Sequence, residues 1–224
     1  MTAEQPMLSR RMAIKPNWCA TALLSISLLG VGVAVRAEDA VRNCDQDTMI
    51  VFDASGSMGG TDMNSVTPRI AKVREAIARV LPEIPPARNL GLMIYGPGAT
   101  SKCESIELRL KPQPNAAGSI IAEVNSIVPA GRTPLTAAVR EAADILDYKK
   151  KPATIVLVTD GEETCGGDPC NLAGILESSG KGVTVHVIGY RDPIVTKGVF
   201  GSRCLAEVTG GKYISVETTD ELAD

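Results

Sequence analysis

The residue pattern with the clearest chemistry is an Asp-x-Ser-x-Ser sequence that follows the apolar residues 49–52. Its polar side chains are those of Asp53, Ser55 and Ser57. They leave the end of a predicted strand and can turn three oxygens towards one point, and hard oxygen ligands in octahedral array are what Mg²⁺ prefers. The alternative is a Ser/Asp turn that caps the next helix.

Two later segments favour the metal site. In the first, Thr133 precedes Pro134 and a helical apolar pattern, so on its own it is most simply a helix N-cap with proline at the first helical position. In the second, Asp160 follows the apolar stretch 154–159, so on its own it is an ordinary turn residue. In a doubly wound parallel sheet, however, the carboxyl ends of the strands share one edge, where ligands bind. We therefore expect all three segments to meet there.

The elements that must position these residues alternate along the chain. Apolar periodicity predicts strands near 48–53, 89–96, 105–110, 154–159, 183–189 and 212–216, and helices near 68–82, 117–127, 134–147, 171–179 and 200–209. The close spacing of the second and third strands indicates a hairpin. The sequence therefore predicts an α/β fold, a doubly wound, mostly parallel six-stranded sheet with one antiparallel edge strand and helices on both faces.

With these segments in this order, the chain resembles a von Willebrand factor type A domain over about residues 47 to 217. The metal-ion-dependent adhesion site of that family combines Asp-x-Ser-x-Ser, a distant Thr and a distant Asp. All five positions match, as Asp53, Ser55, Ser57, Thr133 and Asp160. The resemblance implies a Rossmann-like fold in which the serines and the threonine bind an ion directly or through water. It also implies that the aspartates often hold the ion through water and that an acidic group of a partner completes the site.

The function that this resemblance implies is divalent-cation-dependent protein binding or adhesion, in which a Mg²⁺-type site captures an Asp or Glu side chain of a partner protein. Mostly neutral ligands leave the ion a strong Lewis acid, which attracts a further anion. Mg²⁺ is the expected ion, with Mn²⁺ and Ca²⁺ as alternatives. A structural envelope protein with an architectural ion is the alternative interpretation.

An enzyme is the third class. Mg²⁺-dependent phosphatases of the haloacid dehalogenase type also place an Asp at the end of the first strand of a related sheet. They need a second Asp two residues later as acid and base, but Ser55 stands there and cannot perform that proton transfer at neutral pH. We find no Ser-His-Asp order, Gly-x-Ser-x-Gly elbow or phosphate-binding Gly loop. We therefore expect no catalytic residues, and a Mg²⁺-dependent hydrolase is the less favoured alternative.

The N-terminal segment has the pattern of an export signal. Basic residues at 10, 11 and 15 precede an uncharged apolar run over 20–35, and Val-Arg-Ala at 35–37 resembles a cleavage site. Residues 9–15 also approach the twin-arginine signal. We expect a signal peptide over 1–37, a linker over 38–46 and the type A domain over 47–224, in a periplasmic or secreted protein. No stable membrane span should remain after cleavage.

The charge of the mature chain argues against nucleic-acid binding. Removing the first 37 of 224 residues leaves 187, a size that suits one α/β domain. These carry 19 basic and 25 acidic residues, a net charge of −6. Trp18 lies in the leader, and the few remaining aromatic residues offer no platform for stacking bases.

The cysteine pattern is typical of an exported protein with disulfides and one remaining thiol. A zinc site is not expected, because the pair at 165 and 170 lacks a second matching pair and His186 lies mid-strand. The expected loops place Cys103, Cys165 and Cys170 at the metal edge, and Cys204 begins a helix entered from that edge. We predict two disulfides among these four cysteines, leave their pairing open, and expect Cys44 to be the free thiol.

Charged residues outside the motif have two interpretations. On the first helix, the basic residues Arg69, Lys72, Arg74 and Arg79 are interpreted as a solvated face opposite the apolar stripe. Acidic residues could ring the site and tune its cation choice or repel acidic partners, or they could be ordinary solvated loop charges: Asp62, Glu104, Glu162, Glu163 and Asp168.

Two further features concern the family. Type A domains usually close with a full last helix, whereas here a capping box at Thr218 and Glu221 predicts barely one turn. The Cys-Gly-Gly-Asp-Pro-Cys segment at 165–170 resembles exported bacterial proteins related to the calcium-activated chloride channel-like family. A channel is not expected from that resemblance, because the sequence offers no pore-forming span.

Overall fold

The computed structural model of the protein describes residues 46–62, 65–98, 102–190, 200–216 and 218–223. The predicted signal peptide and nearly all of the predicted linker, with Cys44, lie outside these ranges. Their boundaries therefore stay predictions. No helix among the described residues is long and apolar enough to cross a membrane.

The described residues form a mixed six-stranded sheet. The strands are β1 Thr48–Asp53, β2 Leu90–Tyr95, β3 Ile106–Gln113, β4 Ala153–Thr159, β5 Val183–Tyr190 and β6 Tyr213–Val216. Their order in the sheet is β3-β2-β1-β4-β5-β6. β3 pairs antiparallel with β2 at one edge, and every other pair of neighbours is parallel. The prediction of an α/β fold with one antiparallel edge strand is confirmed.

Helices cover both faces of this sheet, also as predicted. They are α1 Arg69–Val80, α2 Ala117–Ser126, α3 Leu135–Ile145, α4 Pro169–Ser179, α5 Phe200–Val208 and α6 Thr219–Ala223, with short 3₁₀ turns at Gly56–Gly59 and Leu81–Glu83. Alternate residues of β1 enter two different cores. Met49 and Val51 pack in the core that holds α3, α4 and α5 residues, whereas Ile50 and Phe52 pack in the core that holds α1 and α2 residues. A strand buried on both faces needs a continuous apolar run, which is why β1 shows no polar alternation.

The last helix is as short as the sequence predicts. The backbone N–H of Glu221 donates to the Thr218 hydroxyl at 3.2 Å, which is one half of the expected capping box. α6 contacts α1, and Arg79 on α1 pairs with Asp220 at 2.7 Å. The end of the chain is thus fixed against the first helix through an exposed ion pair, which contributes little stability.

Gly211, just before β6, lies where the chain passes close to β5. A Cβ atom added there would lie 1.9 Å from the Val185 carbonyl oxygen, so Gly211→Ala should force the chain away from β5. We expect a loss of about 2 kcal/mol or more in the free energy of unfolding, measured by chemical denaturation. Gly174→Ala is the matched control, because nothing lies within 4 Å of its added Cβ and alanine favours a helix. Equal stability of the two variants would contradict this packing.

Candidate metal site

The candidate site lies where the strand order reverses. β1 has β2 on one side and β4 on the other, so successive connections leave from this point in opposite directions. In open α/β sheets the crevice beyond the carboxyl ends of the strands at such a point is the usual ligand site. Asp53 is the last residue of β1, and Asp160 directly follows β4. The two aspartates therefore flank the crevice.

The Asp53 carboxylate forms the buried base of the site. Its side chain is fully shielded from solvent, and it accepts hydrogen bonds from the backbone N–H of Ser55 at 2.8 Å and from the Thr159 hydroxyl at 2.7 Å. Each carboxylate oxygen accepts one of these bonds, so the group is held in one orientation. Thr159 was not predicted as a site residue. Its only sequence signal is its position next to Asp160, at the end of an apolar strand.

A chain of hydrogen bonds connects the serines to the second aspartate. The hydroxyl oxygens of Ser55 and Ser57 lie 3.0 Å apart, and the Ser57 hydroxyl donates to Asp160 Oδ1 at 2.7 Å. Ser57 lies in the 3₁₀ turn Gly56–Gly59, which begins three residues after the end of β1. The turn brings the i, i+2 and i+4 side chains of the motif to the end of β4, as the sequence predicts.

Backbone contacts place the loop of Thr133 against the loop of Ser55. The N–H of Gly56 donates to the Gly131 carbonyl at 2.9 Å, and the N–H of Gly131 donates to the Gly96 carbonyl at 2.8 Å. Gly96 has φ +75°, and an added Cβ would lie 2.5 Å from the Arg132 carbonyl oxygen. Only glycine suits this approach. Thr133 itself is buried, and its N–H donates to the Thr164 hydroxyl at 2.8 Å.

The N-cap interpretation of Thr133 is wrong. α3 begins at Leu135, the preceding Pro134 occupies the N-cap position, and no side chain caps the helix there. The proline ring cannot accept a hydrogen bond, so the first turn uses another group. The N–H of Thr136 donates to a carboxylate oxygen of Glu163 at 2.7 Å. The Thr133 hydroxyl is therefore not used as a cap.

Arg69 is a component of the site that the sequence interpretation missed. Its Nη1 lies 3.1 Å from Asp160 Oδ2, its Nε lies 2.9 Å from Asp62 Oδ1, and its side chain is only 15% exposed. Lys72 also pairs with Asp62, and Arg74 donates to backbone carbonyls of α2 and its C-terminal end. The interpretation of the basic residues of α1 as one solvated face is therefore wrong for these three residues. The signal for Arg69 was its position at the start of the helix that follows the motif.

Electrostatics in the site favour an added positive charge. Burial raises the pKa of Asp160 to about 6, and the nearby Asp53 carboxylate adds to this shift, whereas Ser57 and Arg69 oppose it. Burial also raises the pKa of Asp53, against its hydrogen bonds from Ser55 and Thr159. Burial and the Asp53 charge raise the pKa of the Tyr95 phenol well above its ordinary value. A bound cation would reduce the repulsion between these two buried carboxylates.

The donor set fits a hard divalent cation. All of its side chains offer oxygen, three of the five are neutral hydroxyls, and the two carboxylates supply negative charge that attracts a cation. Within the described part of the chain no group of three or more His, Cys, Asp or Glu side chains could hold a metal ion. The candidate site contains only two carboxylates and depends on hydroxyl oxygens, so it is a different kind of donor set.

Two disulfides join the four cysteines predicted to pair, which confirms the predicted number. Cys103 pairs with Cys165 and joins the loop after β2 to the loop after β4, while Cys170 pairs with Cys204. Two placements differ from the prediction. Cys170 is the second residue of α4 rather than part of the loop, and Cys204 is the fifth residue of α5 rather than its start. The second disulfide therefore joins two helices.

Three of the five acidic residues suspected of ringing the site have structural roles. Asp62 pairs with Arg69 and Lys72. Glu163 accepts from the backbone N–H groups of Thr136 and Cys165 at 2.7 Å, and Asp168 caps α4 by accepting from the Asn171 N–H at 3.0 Å. These carboxylates fix the loops around the site.

The fold is that of a von Willebrand factor type A domain, and residues 48–163 match the family of that description. The chain belongs to this family. It is similar to YwmD of Bacillus subtilis (strain 168), described as an uncharacterized protein, with 30% identity over 210 residues that cover 88% of this chain and 90% of YwmD.

Two solved structures show the same fold. The pilus adhesin SpaC from Lactobacillus rhamnosus GG matches with a TM-score of 0.59 and 17% identity, over 81% of this chain and 30% of SpaC. The manganese-loaded Plasmodium vivax TRAP protein matches with a TM-score of 0.52 and 20% identity, over 81% of this chain and 71% of TRAP. None of these three names is that of an enzyme. The relation to the chloride channel-like family stays a prediction.

The raised pKa of Asp160 predicts how the metal-free protein responds to pH. Its folded-state pKa of about 6 lies above the ordinary 3.8, so the folded state binds this proton more tightly than the unfolded state. This contribution to stability is fully present below pH 3.8 and is lost as pH rises through about 6. In EDTA, the unfolding free energy of the wild type should therefore fall relative to that of Asp160→Asn over this range. Parallel pH profiles of the two proteins would contradict the shift.

Proposed function

We propose that this protein is an exported, divalent-cation-dependent protein-binding module whose ion is held by Asp53, Ser55, Ser57, Thr133 and Asp160. The observation that carries the proposal is the set of hydrogen bonds around Ser55 and Ser57. The Ser55 backbone N–H donates to Asp53, the hydroxyls of the two serines contact each other, and the Ser57 hydroxyl donates to Asp160. These bonds bring oxygen donors from the ends of two neighbouring strands together at the point where the strand order reverses. An ion there would replace hydrogen-bond contacts between these oxygens with contacts to itself.

The charged ligands and the neutral ligands would have different roles. Asp53, held by Thr159 and the Ser55 backbone, supplies a fixed negative charge at the base of the site. The hydroxyls of Ser55, Ser57 and Thr133 add oxygens without further charge. When bound, the ion would supply a concentrated positive charge, which these neutral ligands do not neutralise. A carboxylate of a partner is the group that best completes such a site.

The expected partner is therefore a protein that presents an Asp or Glu side chain. Mg²⁺ is the expected ion, and the manganese-loaded state of the TRAP structure supports Mn²⁺ as an alternative. The adhesin SpaC, which shares only the fold, agrees with a role in protein contacts outside the cell. Nothing in the site calls for a nucleophile or a general acid, and we infer no enzymatic activity.

Export agrees with the disulfides as well as with the predicted leader. Cys103–Cys165 and Cys170–Cys204 need an oxidising compartment to form and persist. The apolar leader with its preceding basic residues supplies an independent argument for the same compartment. We place the working protein in the periplasm or outside the cell.

An architectural ion is the second candidate function. The observation that favours it is that the site already ties together the loops of Ser55, Thr133 and Asp160. On this alternative, the ion would stabilise the sheet edge and would contact no partner. The two functions differ in what loss of the ion affects, namely partner binding in the first and folding in the second.

Calorimetric titration of the EDTA-treated protein with Mg²⁺, Mn²⁺ and Ca²⁺ tests the site itself. We expect saturable one-site binding for the wild type, its loss in Asp53→Ala, and an affinity at least about tenfold lower in Ser55→Ala, because each removes a ligand. Ser126→Ala is the matched control, since its exposed hydroxyl donates to the Glu123 carbonyl within its own helix end. Binding that survives Asp53→Ala would contradict the site.

The same variants separate the two candidate functions. For an adhesive ion, Ser55→Ala should abolish metal-dependent capture of partner proteins from envelope extracts while the unfolding temperature changes by only a few degrees. For an architectural ion, the same variant should lower the unfolding temperature strongly and leave any capture unchanged. Wild-type protein in EDTA provides the reference for both measurements.

A further inference from the structure

Arg69 stands at an unusual place for a cation. It is the first residue of α1, where the free N–H groups carry partial positive charge and acidic side chains are favoured. The first turn of α1 nevertheless contains no acidic residue. The start of the helix is fixed close to the site, because the Arg69 N–H donates to the Gly60 carbonyl at 2.9 Å in the turn that follows Ser57. Some other interaction must offset the cost of this charge.

Two carboxylates hold the guanidinium in position. Nη1 lies 3.1 Å from Asp160 Oδ2, on a side chain with no exposed surface, and also donates to the Ser57 carbonyl at 3.4 Å. On the other side, Nε donates to Asp62 Oδ1 at 2.9 Å. Asp62 is itself held by Lys72 at 2.5 Å and by the Tyr190 hydroxyl at 3.1 Å. The guanidinium is therefore clamped against the site from outside.

We propose that Arg69 is a resident cation of the metal site, which neutralises Asp160 when no divalent ion is bound and weakens the binding of that ion. This inference rests on the proposed function. The same carboxylate faces the guanidinium and, in the loaded state, a doubly charged ion. Two cations near one buried carboxylate repel each other, and the repulsion acts only when the ion is present.

The charge balance shows what the arginine adds to the loaded site. Three carboxylates, of Asp53, Asp62 and Asp160, face two basic groups, of Arg69 and Lys72, for a net charge of −1. A divalent ion brings this total to +1. Without Arg69 the loaded total would be zero, and the loaded site would attract a partner's carboxylate less strongly. Arg69 thus lowers the affinity of the site for the metal ion and raises the affinity of the loaded site for a partner's carboxylate.

A merely structural role for Arg69 predicts a different pattern. If the arginine only positioned Asp160, its removal would lower both the stability of the protein and its affinity for metal. A resident cation predicts opposite signs for these two quantities. Its removal should destabilise the metal-free protein, because Asp160 loses its counter-charge, and should strengthen metal binding, because the repulsion disappears.

The experiment measures both quantities in Arg69→Met and Arg69→Lys. For Arg69→Met we expect the Mg²⁺ dissociation constant from calorimetry to fall on the order of tenfold, the scale of one unit charge near a partly buried ion. The unfolding temperature in EDTA should fall, and the rise on adding Mg²⁺ should exceed that of the wild type. Arg69→Lys keeps the charge and should stay close to the wild-type affinity.

Arg79→Met is the control for loss of a positive charge from the same helix. Arg79 lies ten residues further along α1, about 15 Å away at the helical rise, on an exposed surface. It should change neither metal affinity nor metal-induced stabilisation. A comparable gain in affinity in this variant would show that net charge alone acts, which would overturn the role of Arg69.

The outcomes separate this inference from the proposed function. One-site binding by the wild type with equal or weaker binding by Arg69→Met overturns the resident cation and leaves the metal site intact. Binding detectable only in Arg69→Met supports the inference in its strongest form. Absence of binding in the wild type and in every Arg69 variant overturns both.

Discussion

The rest of the site depends on the burial of one carboxylate at the end of the central strand. Asp53 has no contact with solvent, and desolvating a charge is costly unless hydrogen bonds or another charge compensate. The protein provides two hydrogen bonds, from the Ser55 backbone and from Thr159 on the neighbouring strand. The Ser55 donor is local, whereas the Thr159 hydroxyl reaches Asp53 through the register between β1 and β4 that the parallel pairing gives. The register of the sheet and the position of the Asp53 charge are therefore coupled, and a change in one would disturb the other.

The fold was predictable because its signal repeats along the chain. Strands such as β1 and β4 are buried on both faces, so their continuous apolar runs are unambiguous, and the short connection between β2 and β3 indicates the antiparallel edge. The motif residues Asp53, Ser55 and Ser57 were readable for a similar reason. Their spacing along one turn carries the geometry, so no long-range contact has to be known.

What the sequence could not supply were contacts set by packing between distant segments. Arg69 has the same local pattern as the exposed Arg79, and only the path of the loop before α1 brings it to Asp160, 91 residues away. Thr159 looks like the end of any apolar strand until its pairing with β1 places it beside Asp53. The pairing of the cysteines depends likewise on which loops and helices lie side by side. Hydrophobic periodicity indicates which residues are buried, but it does not indicate which group a buried polar side chain will contact.

The loops at the candidate site are held to one another mainly through backbone atoms. Gly56, Gly131 and Gly96 form successive N–H to carbonyl contacts, and the Ala130 N–H donates to the Ala54 carbonyl at 3.1 Å. These contacts join backbone atoms, so they do not involve side chains on the outer surface of the loops. The nearby Val128 is such a side chain and is 72% exposed. Substitutions on the outer surface can therefore accumulate without moving the side chains of the candidate site. The outer surface of the domain can change while the arrangement of oxygen atoms at its centre stays the same.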